Sequence, residues 1–336
     1  MKKFLLTLLC ALTLAFTAFG LAACTPAETG KISVYAPDGA PALSIARLMS
    51  DETLLNGRGE YKIVPATTIQ TYVNGENPAA DVCILPVNAA SKLLGSAKTY
   101  QMLGTVTHGN LFLLKKAAGE DITLQNLSSL KGKTVGVINL ANVPGLTFKA
   151  ILNDNQIAYT ELGNDGVIDS EKVNLKALAD GTEVTPAATC DYFVVPEPAA
   201  TTKVNATQGK LLVAASLQTL YGGQNGYPQA VVVAKKDVIK NNPKFISDLI
   251  SSFKENANWL KTATAETIVN AVTAHLPEGS TPTFTAKNLN ATVIENCGIN
   301  FVSAKEGKAE VLAYLAKLNA ISNNNWGTPA NEFFYS

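Results

Sequence analysis

Arginine is almost missing from this sequence. Only Arg47 and Arg58 occur among the 27 basic residues of a 336-residue chain. A guanidinium grips carboxylate, sulfonate or phosphate through a planar fork, whereas a lysine offers a point charge. A side-chain clamp for such anions is therefore not expected, and Arg47 falls past the first turn of its helix. Histidine is as scarce, with only His108 and His275. After residue 23, cysteine is limited to Cys24, Cys83, Cys190 and Cys297. The last three are odd in number, and Cys83 and Cys190 lie inside apolar strand patterns. They read as buried small hydrophobes rather than a disulfide framework. A cysteine nucleophile needs a histidine partner, and neither histidine shares a motif with one. No His, Cys and carboxylate spacing resembles a metal site. No catalytic residue, metal or cofactor is expected, because no paired acid/base motif appears. There is no basic block, and 27 basic residues balance 27 acidic ones. Nucleic acid is thus not an expected partner.

What is present supports a large core. Hydrophobic residues make up 47% of the chain, and its length suits about two domains. Lys2-Lys3 followed by an uncharged run from Phe4 to Phe19 has the layout of a secretory signal. The run is short for a membrane span of about 20 residues. Leu21-Ala22-Ala23-Cys24 resembles a bacterial lipobox, in which the cysteine is diacylated and becomes the first mature residue. Residues 1–23 are read as signal peptide and residues 24–30 as lipidated Cys24 and tether. Loss of Lys2 and Lys3 leaves 25 basic against 27 acidic side chains, a charge of about −2.

One stretch occurs twice. Asp81-Val-Cys-Ile-Leu-Pro-Val-Asn-Ala-Ala90 and Asp191-Tyr-Phe-Val-Val-Pro-Glu-Pro-Ala-Ala200 share Asp, Pro and both Ala at an offset of 110. Each reads as a buried strand entering a Pro-marked loop and a helix start. Val34 to Pro41 and Val137 to Pro144 form a second pair, with proline near the first helical position. Two similar α/β units imply two lobes with a cleft between them. Strands are expected near 31–36, 61–65, 81–85, 100–107, 110–116, 134–138, 173–178, 191–195, 211–214 and 227–234. Helices are expected over Pro41 to Met49, Val87 to Leu94, Pro144 to Leu152, Pro243 to Lys261, Ala265 to His275, Thr285 to Asn296 and Ala304 to Lys317. Strands alternating with helices argue for mainly parallel sheets. Lobe 1 is read as 31–113 plus 228–336, lobe 2 as 114–227, with strands crossing near 110–115 and 229–233.

Six short stretches follow one another along the chain: Ala36-Pro-Asp-Gly-Ala-Pro-Ala-Leu43, Leu130-Lys-Gly-Lys-Thr-Val-Gly136, Val143-Pro144, Pro196-Glu-Pro-Ala-Ala200, Tyr227-Pro-Gln-Ala230 and the tail Trp326 to Tyr335. In this order they resemble substrate-binding proteins of ABC importers. The thiamine-precursor and alkanesulfonate branch (the NMT1/THI5-like family) is the most similar. The resemblance spans about Lys31 to Tyr335. It implies a two-lobed, periplasmic-binding-protein-like type II α/β fold, with mainly parallel sheets, helices on both faces and two crossover strands. It also implies a monomeric, lipid-anchored receptor on the extracytoplasmic face. That receptor would serve an ABC permease and ATPase and would not be an enzyme. Thr107-His108-Gly109-Asn110 departs from relatives that carry Trp at the histidine position, which bears on the ligand. The Cys-rich signature of the related eukaryotic pyrimidine synthase is missing.

Ligands in such sheets bind beyond strand carboxyl ends, where helix starts offer free N–H groups. The candidates are Asp38, Gly39, Ala40, Pro41, Pro86, Asn88, His108, Asn139, Asn142, Val143, Pro144 and Glu197. The asparagines supply donors and acceptors, but they also suit plain turns. Glu197 reads equally as an acceptor for a ring amine and as a solvated loop carboxylate. His108 reads as a ligand contact or as a structural histidine. A neutral or weakly basic heterocycle, pyrimidine-like, fits the arginine scarcity. The alternative is an enzyme of the same fold acting on a small acid or heterocycle.

Overall fold

The computed structural model describes residues 30–163, 165–223, 225–321 and 326–336. The signal peptide and the Cys24 tether lie outside the described residues. Twelve strands are described, β1 Ile32–Pro37, β2 Gly59–Val64, β3 Val82–Pro86, β4 Tyr100–Thr107, β5 Leu111–Lys116, β6 Thr134–Ile138, β7 Tyr159–Glu161, β8 Val173–Leu178, β9 Tyr192–Pro196, β10 Leu211–Ser216, β11 Ala230–Lys235 and β12 Ile299–Ser303. They form two six-stranded sheets, ordered β12-β4-β11-β3-β1-β2 and β10-β5-β9-β6-β8-β7. Within each, a parallel block (β3, β1, β2; β9, β6, β8, β7) is flanked by antiparallel strands. The α/β architecture expected from the alternating pattern is present.

The doubled stretch has a physical counterpart. β3 and β1 lie side by side next to an antiparallel strand in the first sheet, as β9 and β6 do in the second. The aspartate that opens each copy also bonds alike. Asp81 Oδ2 accepts from Ser33 N at 3.0 Å, and Asp191 Oδ2 accepts from Thr134 N at 2.8 Å. Each carboxylate satisfies a main-chain donor near the start of the neighbouring strand, which fixes the register. Burial pushes the Asp81 carboxyl up. The Ser33 N–H and the Lys235 ammonium, 3.0 Å away, outweigh it and hold the pKa below the usual value. A lowered carboxyl pKa stabilises the fold above the unfolded pKa of about 4 and stops doing so as pH falls through the folded value. Asp81→Ala is expected to cost about 2 kcal/mol at neutral pH and much less in acid. Urea midpoints at the two pH values measure the difference.

The central parallel strands β1, β3, β6 and β9 are covered on both faces, so they run almost continuously apolar. On one face Tyr35, Cys83, Leu85, Val135, Val137, Tyr192 and Val194 join a single core that passes from sheet to sheet. The opposite faces make separate cores, with Val34, Ile84 and Val232 in one and Phe112, Phe193 and Val195 in the other. A register slip of one residue would exchange these faces. Cys83, Cys190 and Cys297 are free and buried, as expected of small hydrophobes.

Three local expectations need correction. The helix read over Pro41 to Met49 is two short helices, Ala40–Leu43 and Ala46–Ser50. The buried Asn256 amide replaces the missing ladder bond. Its Nδ2 donates to Leu43 O at 2.9 Å, and its Oδ1 accepts from Arg47 N at 3.1 Å. An inserted side chain of this kind breaks a helix without proline. The helix read from Thr285 is shorter, Ala291–Asn296, because the Asn290 side chain caps it through Val293 N. Two strands went unread. β7 has only three residues, and β12 is a half-buried edge strand whose side chains do not alternate sharply.

Candidate functional site

The carboxyl ends of the parallel strands lie along one edge of each sheet. In the first, Ala230 pairs with both Pro86 and Thr107, and Ile299 pairs with Thr107. In the second, Leu111 pairs with Pro196, and Ile138 with Leu178. The chain passes from Thr107 to Leu111 through three residues, His108, Gly109 and Asn110. That is at most about 14 Å of extended chain, so the two edges adjoin there. It returns between Tyr221 and Ala230.

The crossing is tightly held. His108 N donates to Gly298 O at 2.9 Å on the first-sheet side, and Glu197 N donates to Asn110 O at 2.9 Å on the second. Gln229 Nε2 donates to Asn110 Oδ1 at 2.9 Å. Gly109 has φ 88°, and a Cβ there would stand 2.6 Å from the Tyr227 ring. Only glycine fits that combination. Away from the crossing, the Thr147 and Tyr314 hydroxyls meet at 2.7 Å, and Lys317 pairs with Asp154 at 2.6 Å.

The twelve candidate residues do not behave as one set. Gly39, Ala40 and Pro41 stand at the end of β1, Pro86 and Asn88 at the end of β3, Asn139 to Pro144 after β6, and Glu197 after β9. Pro41 and Pro144 each take the second position of a helix, one residue later than the first position expected of them. Asn139 has φ 57° and accepts from Asn142 N through its carbonyl, so it is first of all a turn residue. The Asn139 and Asn142 side chains are exposed, Val143 is buried and Pro144 is half-buried. Asp38 is already engaged. Its Oδ1 accepts from Gly39 N at 2.8 Å, and its Oδ2 accepts from both Thr283 N and Thr283 Oγ1 at 2.8 Å.

The structure overturns one of the two readings offered for Glu197. It is 4% exposed, so it is not a solvated loop carboxylate. Nor is it a free acceptor, since Thr201 Oγ1 and Asn296 Nδ2 each donate to Oε1 at 2.7 Å and Thr201 N donates to Oε2 at 3.1 Å. Asn296 belongs to the helix before β12, so the carboxylate links elements of the two sheets. Glu197→Ala leaves these donors unpaired and is expected to cost about 2 kcal/mol. A denaturation midpoint shared with Asn296→Ala in a double-mutant cycle tests the link.

His108 is different. It is 2% exposed, and neither ring nitrogen makes a hydrogen bond of good geometry. Burial lowers its pKa to about 4, opposed only by the main chain of Asn300. Asn88 Oδ1 and Gln229 Oε1 are likewise buried without a partner along the same sheet edge. Buried polar atoms are seldom left so. Gln229 was missed in the sequence, although it stands inside the quoted motif Tyr227-Pro-Gln-Ala230. Thr283 and Asn296 carry no local signal at all.

A pocket of about 690 Å³ opens beside His108, between the helices Pro243–Thr262 and Ala291–Asn296 and the start of β12. Of the twelve candidates only His108 lines it. Pro41, Pro86, Pro144 and Pro196 occupy the sheet edges but do not share this pocket. Both arginines are committed elsewhere. Arg47 pairs with Glu255 at 2.7 Å, and Arg58 donates to Asn242 Oδ1 at 2.6 Å. Tyr227 is wholly buried and stacks on Tyr314, which makes it core. His275 Nδ1 lies 2.7 Å from the Ala271 carbonyl oxygen at a helix end. Among the described residues no cluster of His, Cys, Asp and Glu could hold a metal. None of their helices is long and apolar enough to cross a membrane.

No family model and no curated protein matches the sequence. Solved structures do match. An ABC transporter structure from Parabacteroides distasonis aligns with TM-score 0.69 at 18% identity, over 92% of this chain and 99% of that one. This is the periplasmic-binding-protein-like fold. The periplasmic aliphatic sulphonate binding protein of Escherichia coli aligns with TM-score 0.61 at 14% identity, over 92% of each chain. A zinc-bound ligand binding component of an ABC-type import system from Staphylococcus aureus aligns with TM-score 0.56 at 10% identity, over 92% and 97%. At such identities the likeness carries the fold and not the ligand.

Proposed function

We propose that this chain is the solute-binding component of an ABC importer, with residues 31–113 and 228–336 as one lobe and 114–227 as the other. Cys24 would carry the lipid that holds it, as a monomer, on the extracytoplasmic face of the membrane. The observation that carries the reading is the meeting of two duplicated sheets, carboxyl edge to carboxyl edge, at two short crossings. A solute between those edges contacts both lobes at once, so binding favours closure by its differential contacts. The closed form is what a permease and its ATPase would recognise. A receptor releases its solute unchanged, so no enzymatic turnover is expected.

For the solute, the arginine scarcity and the unpartnered amide oxygens Asn88 Oδ1 and Gln229 Oε1 support a neutral or weakly basic heterocycle of the pyrimidine class. This fits the thiamine-precursor branch better than the alkanesulfonate one. Amide oxygens accept hydrogen bonds from ring or exocyclic N–H groups. Micromolar binding requires about −8 kcal/mol, within reach of a buried ring and several hydrogen bonds. Calorimetry of the full chain in detergent against pyrimidines, amines and alkanesulfonates is the test. Tight binding of a simple alkanesulfonate alone would overturn the ligand class, and loss of a bound pyrimidine by chemical conversion would overturn the receptor.

A further inference from the structure

More than the chain crossings joins the two sheets. Helix Ala304–Ile321 follows β12 of the first sheet and packs on β4 and on helix Val87–Leu94. Its Tyr314, Leu315 and Leu318 also enter the core that holds Leu146, Phe148 and Ile151 of helix Val143–Asp154, which belongs to the second sheet. The Thr147 hydroxyl donates to Val143 O at 2.7 Å, so its oxygen accepts from the Tyr314 hydroxyl, also at 2.7 Å. A two-link chain of hydrogen bonds thus runs from the helix start beyond β6 to the other lobe. Tyr314 stacks on Tyr227 of the return crossing, ring centres 5.8 Å apart, so this tie sits at the pivot.

A second tie sits on the other face. Glu197 Oε1 accepts from Asn296 Nδ2 at 2.7 Å, and Glu197 N donates to Asn110 O in the outward crossing. Beside it Ala199, Ala200 and Val204 pack with Phe193 and Val195, and Val293 packs with Val34, Ile84 and Val232. Those are the sheet faces turned away from the shared core. Thr147, Tyr314 and Glu197 are all buried, so water does not readily replace their bonds. The Lys317–Asp154 pair lies on the first face, but it is half-exposed and adds little.

We infer that the two ties are opposed braces, which keep the lobes from bending toward either sheet face. Bending toward one face stretches the bond on the other, and a hydrogen bond weakens steeply when its geometry is lost. Turning in the plane of the sheets disturbs both ties least, because both lie at the crossing. That turn parts the strand ends farthest from the crossing, beyond β2 and β8, and so opens the cleft; this step rests on the receptor reading. A cleft braced in this way meets its solute in one alignment, and binding then costs less ordering.

Nitroxide distances read the two motions separately. The full chain carries Cys10→Ser and Cys24→Ser, while the buried Cys83, Cys190 and Cys297 stay unlabelled. Ser251→Cys and Thr202→Cys put labels on exposed sites of the helices Pro243–Thr262 and Ala199–Ala206, on the face of the second tie. Thr67→Cys and Ala179→Cys, exposed beyond β2 and β8, put them across the cleft mouth. Tyr314→Phe cuts the first tie but keeps the ring stack and the Thr147 bond to Val143. It should raise the bent population about fivefold, the weight of one net hydrogen bond, and shorten the face-pair distances. Asn296→Ala should raise it as much and lengthen them. Tyr100→Phe removes a buried hydroxyl bond to Ala80 O inside lobe 1 and should leave the face pair unchanged. Face-pair distances unmoved by either brace variant, moved in one direction by both, or moved equally by Tyr100→Phe would each overturn the braces. A mouth pair as narrow as the face pair in the parent would instead remove the hinged receptor and leave the braces standing.

Discussion

Gly145→Ala is expected to destabilise the protein by about 3 kcal/mol, although it places a better helix former inside a helix. Gly145 is the third residue of the helix Val143–Asp154. A Cβ there would overlap the carbonyl oxygen of Leu140. Propensity favours alanine by about 1 kcal/mol, but the overlap is with main chain and no side chain can turn aside to relieve it. Nor is Leu140 free to retreat. It is 5% exposed, it follows Asn139 at φ 57°, and the turn is closed by Asn142 N donating to Asn139 O at 2.9 Å. The substitution therefore has to move the whole helix start away from β6. The thermal midpoint should fall on the order of 10 °C. Gly181→Ala is the matched control, since its Cβ would meet nothing within 4 Å, and it should stay within about 0.5 kcal/mol of the parent. Equal midpoints for the two variants would refute the account.

The contrast between Gly145 and its neighbours shows what the sequence could and could not disclose. Strand cores, the duplicated Asp81 and Asp191 stretches and the prolines at helix starts are local patterns, and the local pattern was enough to place them. The repeat also has a bond behind it that the sequence did not announce, because the aspartate ahead of each buried strand meets the equivalent main-chain donor. Asn256 was unreadable for the opposite reason. It breaks a helix more than 200 positions away, and nothing near Leu43 or Arg47 announces it. Glu197 shows the same limit at the site. Between two prolines it looked like a loop carboxylate, yet its environment is set by Asn296, 99 residues on.

His108 was legible as a candidate but not as a buried one, and burial is what makes it measurable. Its folded pKa of about 4 lies below the ordinary 6.5 because the ring is desolvated. The linkage then runs opposite to that of a paired histidine. Above the unfolded pKa both states are neutral and the group contributes nothing. As pH falls from about 6.5 towards 4, the unfolded chain takes up a proton that the folded one refuses, and stability drops by up to about 1.4 kcal/mol per pH unit. Over that window the loss is about 3 kcal/mol. His108→Gln keeps a neutral polar group in place and should remove the slope between pH 6.5 and about 4.5, leaving the acid loss from carboxylates such as Asp81 to begin lower. Parallel loss in the parent and the variant across that window would show that the ring is solvated or already paired.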